Sequence, residues 1–195
     1  MKTYQSSING TNGSRLFVNS NRSVLPVALH QKGGRWIHAG LHVFADASEQ
    51  AYGVFAYLRL QMKSNILVSL VMAKSRVAPL KYVTIPRLEL CAALMATRLA
   101  ATITSELRIK IQSTTFHTDS MTVLRWFNSK KCRYQAYVGN HIGQILRATT
   151  PEQWRHVLGR LNPADEFSRG LLAADLGPDH RFIRGPDFLR SSPCS

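Results

Sequence analysis

From Leu41 the chain alternates, with His42, Phe44 and Asp46 on one side and Leu41, Val43 and Ala45 on the other. That period of two predicts a strand over 41–47. Two more apolar runs follow after short polar turns, Ala51 to Leu60 and NILVSLVMAK, so strands at 51–61 and 65–74 complete an antiparallel meander. The pattern then changes period. Pro86 suits the first position of a helix over 86–106, rich in Ala, Leu, Met and Arg. On it Glu89 shares a face with Ala92, Ala93, Ala96 and Ala100, a small-residue stripe that lets the helix lie close on a sheet. Glu89 is expected at the buried first turn, facing that sheet.

STTFHTDSMTVLRWF predicts a short strand over 113–118 that delivers Asp119 to the start of a helix with Val123, Leu124 and Phe127 inward. Residues 136–149 read as helical, and QWRHVLG alternates as a last strand. LNPADEFSRG then supplies Asn162 as N-cap, Pro163 at the first helical position and Asp165 at the third, with Gly170 as the stop. Three units follow from these patterns: a flexible basic leader over 1–35, a folded domain over 36–172 and an irregular tail over 173–195. The leader is rich in Ser, Asn and Gly, with a short apolar run at Val24 to Leu29.

The 195 residues, 45% of them apolar, suffice for one domain with a core. No run of about 18 apolar residues predicts a bilayer span, and the N-terminus lacks the apolar stretch of a secretory signal. A soluble, intracellular protein is expected, cytoplasmic or nuclear, with no membrane partner. Cys91, Cys132 and Cys194 have no CxxC spacing and predict neither a disulfide framework nor a zinc site. Charge adds more. With 25 Lys and Arg against 11 Asp and Glu, the formal net charge is +14, which points to a polyanionic partner, nucleic acid first among them. Lys130, Lys131 and Arg133 cluster near Tyr134 and Tyr137, a grouping that fits a nucleic-acid backbone or a solvated helix end.

Acids are scarce, and four of them sit at the ends of predicted elements: Asp46, Glu89, Asp119 and Asp165. Each has a local explanation. Asp46 starts a turn, Glu89 favours a helix N-terminus through the macrodipole, Asp119 serves as an N-cap, and Asp165 completes a capping arrangement. Taken together they have another. If the first and fourth of the strands after residue 40 are neighbours, Asp46 and Asp119 emerge side by side, and the two helices bring Glu89 and Asp165 to the same rim. Four carboxylates sharing a rim call for cations, and hard oxygen ligands select Mg²⁺ or Mn²⁺. A pair of such ions about 4 Å apart activates water and stabilises a leaving oxygen in phosphodiester cleavage.

The strings FADAS, RLELCAAL, HTDSMTVLRWF and NPADEFSRG, in this order, resemble the four acidic motifs of the ribonuclease H domain of BEL/Pao-type retrotransposon polyproteins, within the type 1 ribonuclease H family. SRVAPLKYVTIPRLEL, VLGRLNPADEFSRG and GPDFL are similar to that group as well, so the resemblance spans about residues 34–190. It implies an α/β, ribonuclease H-like mixed sheet of three antiparallel strands plus two further strands, flanked by helices. It also implies Mg²⁺-dependent endonucleolytic hydrolysis of the RNA strand of an RNA/DNA hybrid. Carried over by motif, Asp46 bridges two ions, Glu89 and Asp119 hold one, and Asp165 completes the other. Ser48, Arg87, Ser120 and Arg160 join the basic cluster as candidate nucleic-acid contacts, and a reverse transcriptase domain of the parent polyprotein is a candidate partner.

Two departures bear on this reading. Many type 1 ribonucleases H carry a His in a loop ahead of the fourth acid, and HVLGRLNPAD offers only Arg160 there, with His156 upstream on the predicted strand. No reverse-transcriptase YxDD and no His/Cys zinc arrangement accompanies the four motifs. The alternative of a different class is a catalytically inactive, basic nucleic-acid-binding relic of the same fold. An integrase-type relative is disfavoured, because there the Glu is expected last and not second.

Overall fold

A computed structural model describes residues 6–8, 14–18, 36–129, 134–168 and 181–191. Among them seven strands form one sheet in the order β1-β2-β5-β4-β3-β6-β7. These are β1 (Ser6–Ile8), β2 (Ser14–Val18), β3 (His38–Ala47), β4 (Ala51–Gln61), β5 (Ile66–Val77), β6 (Ser113–Thr118) and β7 (Trp154–His156). The helices are α1 (Ile85–Glu106), α2 (Met121–Asn128), α3 (Ala136–Ala148), α4 (Pro163–Ser168) and α5 (Arg181–Arg184).

The meander is as the alternation predicts, with β4 antiparallel to both β3 and β5. β6 then runs parallel to β3, pairing Ala45 with Thr118, and β7 runs parallel to β6. That register matters most for function. It sets Asp46 and Asp119, each one residue beyond a paired position, at the same end of adjacent strands.

Alternation also divides the core. Leu41, Val43 and Ala45 of β3 face α1 to α3, where Ala92, Ala93, Ala96 and Ala100 are buried as the stripe requires. Phe44, Phe55, Tyr57 and Val68 face the other way, against Ala164 of α4 and Leu189. By length and hydropathy α1 would pass for a membrane span, which corrects the expectation that no segment does; its window is mostly buried inside the fold, so this apolarity serves the core.

Two expectations about the chain ends change. The leader contributes β1 and β2, and β2 pairs antiparallel with β5. The reason is physical: the meander leaves β5 with an open edge whose N–H and C=O groups accept another strand. Other leader positions, Val24 to Leu29 among them, lie outside the described residues. The tail is not irregular where it is described. It forms α5 and a 3-10 turn at Asp187–Arg190, and Leu189 is 2% exposed. Gly185, at φ +74°, brings the backbone so close to Tyr57 that a Cβ there would sit 3.0 Å from its ring.

Buried Arg59 anchors this segment. Its Nε donates to the Leu189 carbonyl at 2.8 Å and its Nη2 to the Ser191 carbonyl at 3.2 Å. Phe188 lies beside Phe44 and His117, with ring centroids 6.1 and 5.8 Å away. The second apolar face of the sheet therefore needs the tail as its cover.

Candidate active site

Asp46 and Asp119 lie at the end of the sheet where β3 and β6 finish. Asp46 is the penultimate residue of β3, 5% exposed, and lies opposite Gly53 of β4. Asp119 follows β6 directly. Its Oδ1 is buried and has no hydrogen-bond partner. A buried carboxylate oxygen left without a donor is costly unless something cationic meets it.

The capping explanation for Asp119 does not hold. Ser120 is the N-cap of α2, accepting from the Val123 N–H at 3.2 Å. The same hydroxyl donates to Glu89 Oε2 at 2.5 Å. One buried serine thus starts α2, ties it to α1 and aims the Glu89 carboxylate toward Asp119. Burial pushes the Glu89 carboxyl up, the Ser120 bond pulls it down, and the nearby Asp119 charge pushes it up again, for a net rise.

Glu89 lies deeper in its helix than expected. The helix starts at Ile85 with Thr84 as N-cap, so no acid occupies the first turn. The macrodipole explanation weakens accordingly, because that effect fades beyond the first turn.

Asp165 is brought in by Asn162, which is fully buried. The Asn162 side chain accepts from the Ala164 N–H at 3.2 Å and donates to the Ala45 carbonyl at 3.1 Å, one residue before Asp46. Its backbone N–H reaches the Gly159 carbonyl at 2.8 Å, while its carbonyl accepts from Asp165. Gly159 in turn abuts Asp119: a Cβ at 159 would lie 3.2 Å from Asp119 Oδ2. Sequence reasoning found Asn162 only as a cap and missed Gly159, whose sole signal is a glycine in HVLGRLN.

The candidate nucleic-acid contacts are placed unevenly. Arg87 stands over the Tyr137 ring, 5.5 Å from its centroid, and donates to Gln135 Oε1 at 2.7 Å beside the start of α1. The Ser48 hydroxyl closes the β3–β4 turn by accepting from Gln50 and Ala51. Ser120 is buried by its two bonds, and Arg160 is exposed in the 3-10 turn Gly159–Leu161. Lys130, Lys131 and Arg133 lie outside the described residues. His156 ends β7, exposed.

Comparison with known proteins covers the segment of the first three acids. Residues 26–120 match the family described as "Pao retrotransposon-like RNaseH-like domain". Over these residues the chain resembles a Pao-type ribonuclease H-like domain. The match contains Asp46, Glu89 and Asp119, and Asp165 falls beyond it. No curated protein matches the chain significantly.

Several solved structures resemble this chain. Ribonuclease H1 of the halophilic archaeon Halobacterium salinarum is 11% identical, with a TM-score of 0.38 over 67% of this chain and 92% of that one. LC11 ribonuclease H1, solved in complex with RNA/DNA hybrid, is 11% identical, with a TM-score of 0.39 over 71% of this chain and 99% of that one. The N-terminal ribonuclease H domain of a Mycobacterium tuberculosis protein gives 11%, 0.36, 60% and 78% on the same measures.

The candidate acids are all carboxylates, and the orphaned Asp119 Oδ1 suits a hard divalent cation. Among the described residues no three His, Cys, Asp or Glu side chains stand together as a ready metal group.

Proposed function

We propose that this chain is a metal-dependent endonuclease that hydrolyses the RNA strand of RNA/DNA hybrids. The observation that carries the reading is the unpartnered, buried Oδ1 of Asp119 beside Glu89, at the strand end it shares with Asp46. Asp46, Glu89, Asp119 and Asp165 would hold two Mg²⁺ ions, with Mn²⁺ as a substitute. When bound, such ions supply the activation of water and the stabilisation of the leaving oxygen.

The chain's own residues do the rest. Ser120 fixes Glu89, Gly159 backs Asp119, and Asn162 sets Asp165 against the end of β3. The net charge of +14 draws the polyanion, and Arg87 at the start of α1 is placed to meet a phosphate next to the acids. A reverse transcriptase domain of the parent polyprotein is the proposed partner for holding long hybrids.

A second reading has one observation in its favour: the acids are not closed into a ready metal group, as suits a fold that binds hybrid without cutting it. Hybrids labelled separately on the RNA and the DNA strand decide between the two. Cleavage confined to RNA in Mg²⁺ supports the nuclease, whereas binding without cleavage in Mg²⁺ or Mn²⁺ supports the relic.

A further inference from the structure

Away from the acids, a cavity of about 330 Å³ opens between β5 and the outer flank of α1. Its floor is apolar, made by Met72, Leu94, Met95 and Leu99. Its rim is cationic. Lys74 and Arg76 stand at alternate positions of β5, and Arg98 faces them from α1, with no Asp or Glu among the lining residues. Tyr52, directly cross-strand from Arg76, and His141 of α3 add two flat rings.

An apolar floor flanked by rings under a rim of positive charge fits a base lying flat with its phosphate held outside, as in sites for single-stranded nucleic acid. The volume lies at the small end of ligand pockets. Location favours the same ligand. Arg87 and Arg98 are eleven residues apart on one face of α1, about 16 Å along its axis, and Tyr137, beneath the Arg87 guanidinium and hydrogen-bonded to Cys91, lies between them. A strand that passes Arg87 at the start of α1 meets this cavity next along that face.

We propose that the cavity is a binding site for an unpaired nucleotide of a single strand that continues beyond the duplex. The proposal rests on the reading of the chain as a nucleic-acid-binding domain, and not on its cutting anything. A protein segment is a poorer occupant, since it would have to present an anionic group to three cations and a flat apolar group to the floor at once.

Cys91 provides a local reporter, because it lines the cavity with its Sγ 3.0 Å from the Tyr137 hydroxyl. In a parent chain carrying Cys132→Ser and Cys194→Ser, Cys91 alkylation is timed with and without thymidylate or uridylate dodecamers. At saturation either oligonucleotide should slow labelling about tenfold, and the two arms tell DNA from RNA. Lys74→Glu with Arg98→Glu should abolish the protection, as should Thr102→Trp, which fills the cavity from an exposed helical position without changing charge. Lys63→Glu, in the distant β4–β5 turn, should leave it intact. Absence of protection by both oligonucleotides overturns the site, as does equal protection by inorganic polyphosphate or equal loss in Lys63→Glu. Hybrid cleavage by the same parent is scored separately, so a chain that never cuts but protects Cys91 loses the nuclease reading and keeps this one.

Discussion

The side-chain amide of Asn162 donates to the main-chain carbonyl of Ala45 at 3.1 Å, joining the start of α4 to the end of β3 with no exposed surface on Asn162. Through that bond the elements carrying Asp165 and Asp46 move as one. Because Asn162 also caps α4 through Ala164, two substitutions separate its roles. Ser keeps a capping oxygen but is too short to reach Ala45, and Ala does neither. Asn162→Ala should lose about 1 kcal/mol of capping beyond Asn162→Ser. Both should lose hybrid cleavage, by about 10²-fold if the acids shift by an ångström. Melting curves and single-turnover rates check this, and an Asn162→Ser chain as active as the parent would reduce Asn162 to a cap.

Glu89 forecasts a gain in stability where a structural acid would forecast a loss. Its carboxyl is raised in the folded chain, so its stabilising contribution is present at low pH and fades as pH rises through the folded value. Glu89→Gln keeps an acceptor for Ser120 and removes the charge. In EDTA its melting point should equal or exceed the parent's, by a margin that grows as pH rises above the ordinary Glu range and levels off past the raised folded value, while cleavage drops by orders of magnitude.

Much of this site was legible before the fold was known, and the reasons are local. The limits 51–61 and 113–118 agree with β4 and β6, because both strands are bounded by polar turns that end the alternation cleanly. Asp46 and Asp119 became neighbours as soon as β3 and β6 were taken as adjacent. The rest depended on distant partners. Asp119 and Ser120 are both good caps, and Ser120 takes the role while its hydroxyl also engages Glu89, 31 positions away. The SRLFV segment became a strand because β5 offers an edge, and the tail gained order because Arg59 offers donors to its carbonyls.

The tail's anchoring makes a prediction of its own. Arg59→Met leaves the Leu189 and Ser191 carbonyls without their donors, the first of them buried. A loss of roughly 2–3 kcal/mol, or roughly 4–12 °C in melting temperature, is expected. Thermal melting checks it, and truncation after residue 180 should destabilise at least as much, since it uncovers Phe44 and Tyr57 as well.

Acid should weaken the same face. His42 Nδ1 lies 3.2 Å from His117 Nε2, and burial, then Arg59, then His38 lower the His42 pKa to about 4. Folded His42 stays neutral while the unfolded chain takes a proton below about pH 6.5, so its contribution is present above that pH and lost as pH falls toward 4. The loss amounts to roughly 3 kcal/mol at most. His42→Gln should reduce the slope of the stability profile between pH 6.5 and 4, as read by denaturant unfolding at each pH. The remainder belongs to His117, whose pKa burial, then His42, then Arg155 lower to about 3.

The central claim is that the Asp46, Glu89, Asp119 and Asp165 rim holds metal for hydrolysis, and Asp119 tests it most directly because its Oδ1 has no other partner. The measurement is the rate of RNA-strand cleavage in a labelled RNA/DNA hybrid as Mg²⁺ is titrated, for the parent and for Asp119→Asn. The account predicts saturable, Mg²⁺-dependent cutting by the parent and a loss of several orders of magnitude in Asp119→Asn, with its hybrid affinity retained. A parent that cuts equally well in EDTA, or an Asp119→Asn chain that cuts like the parent, would contradict it.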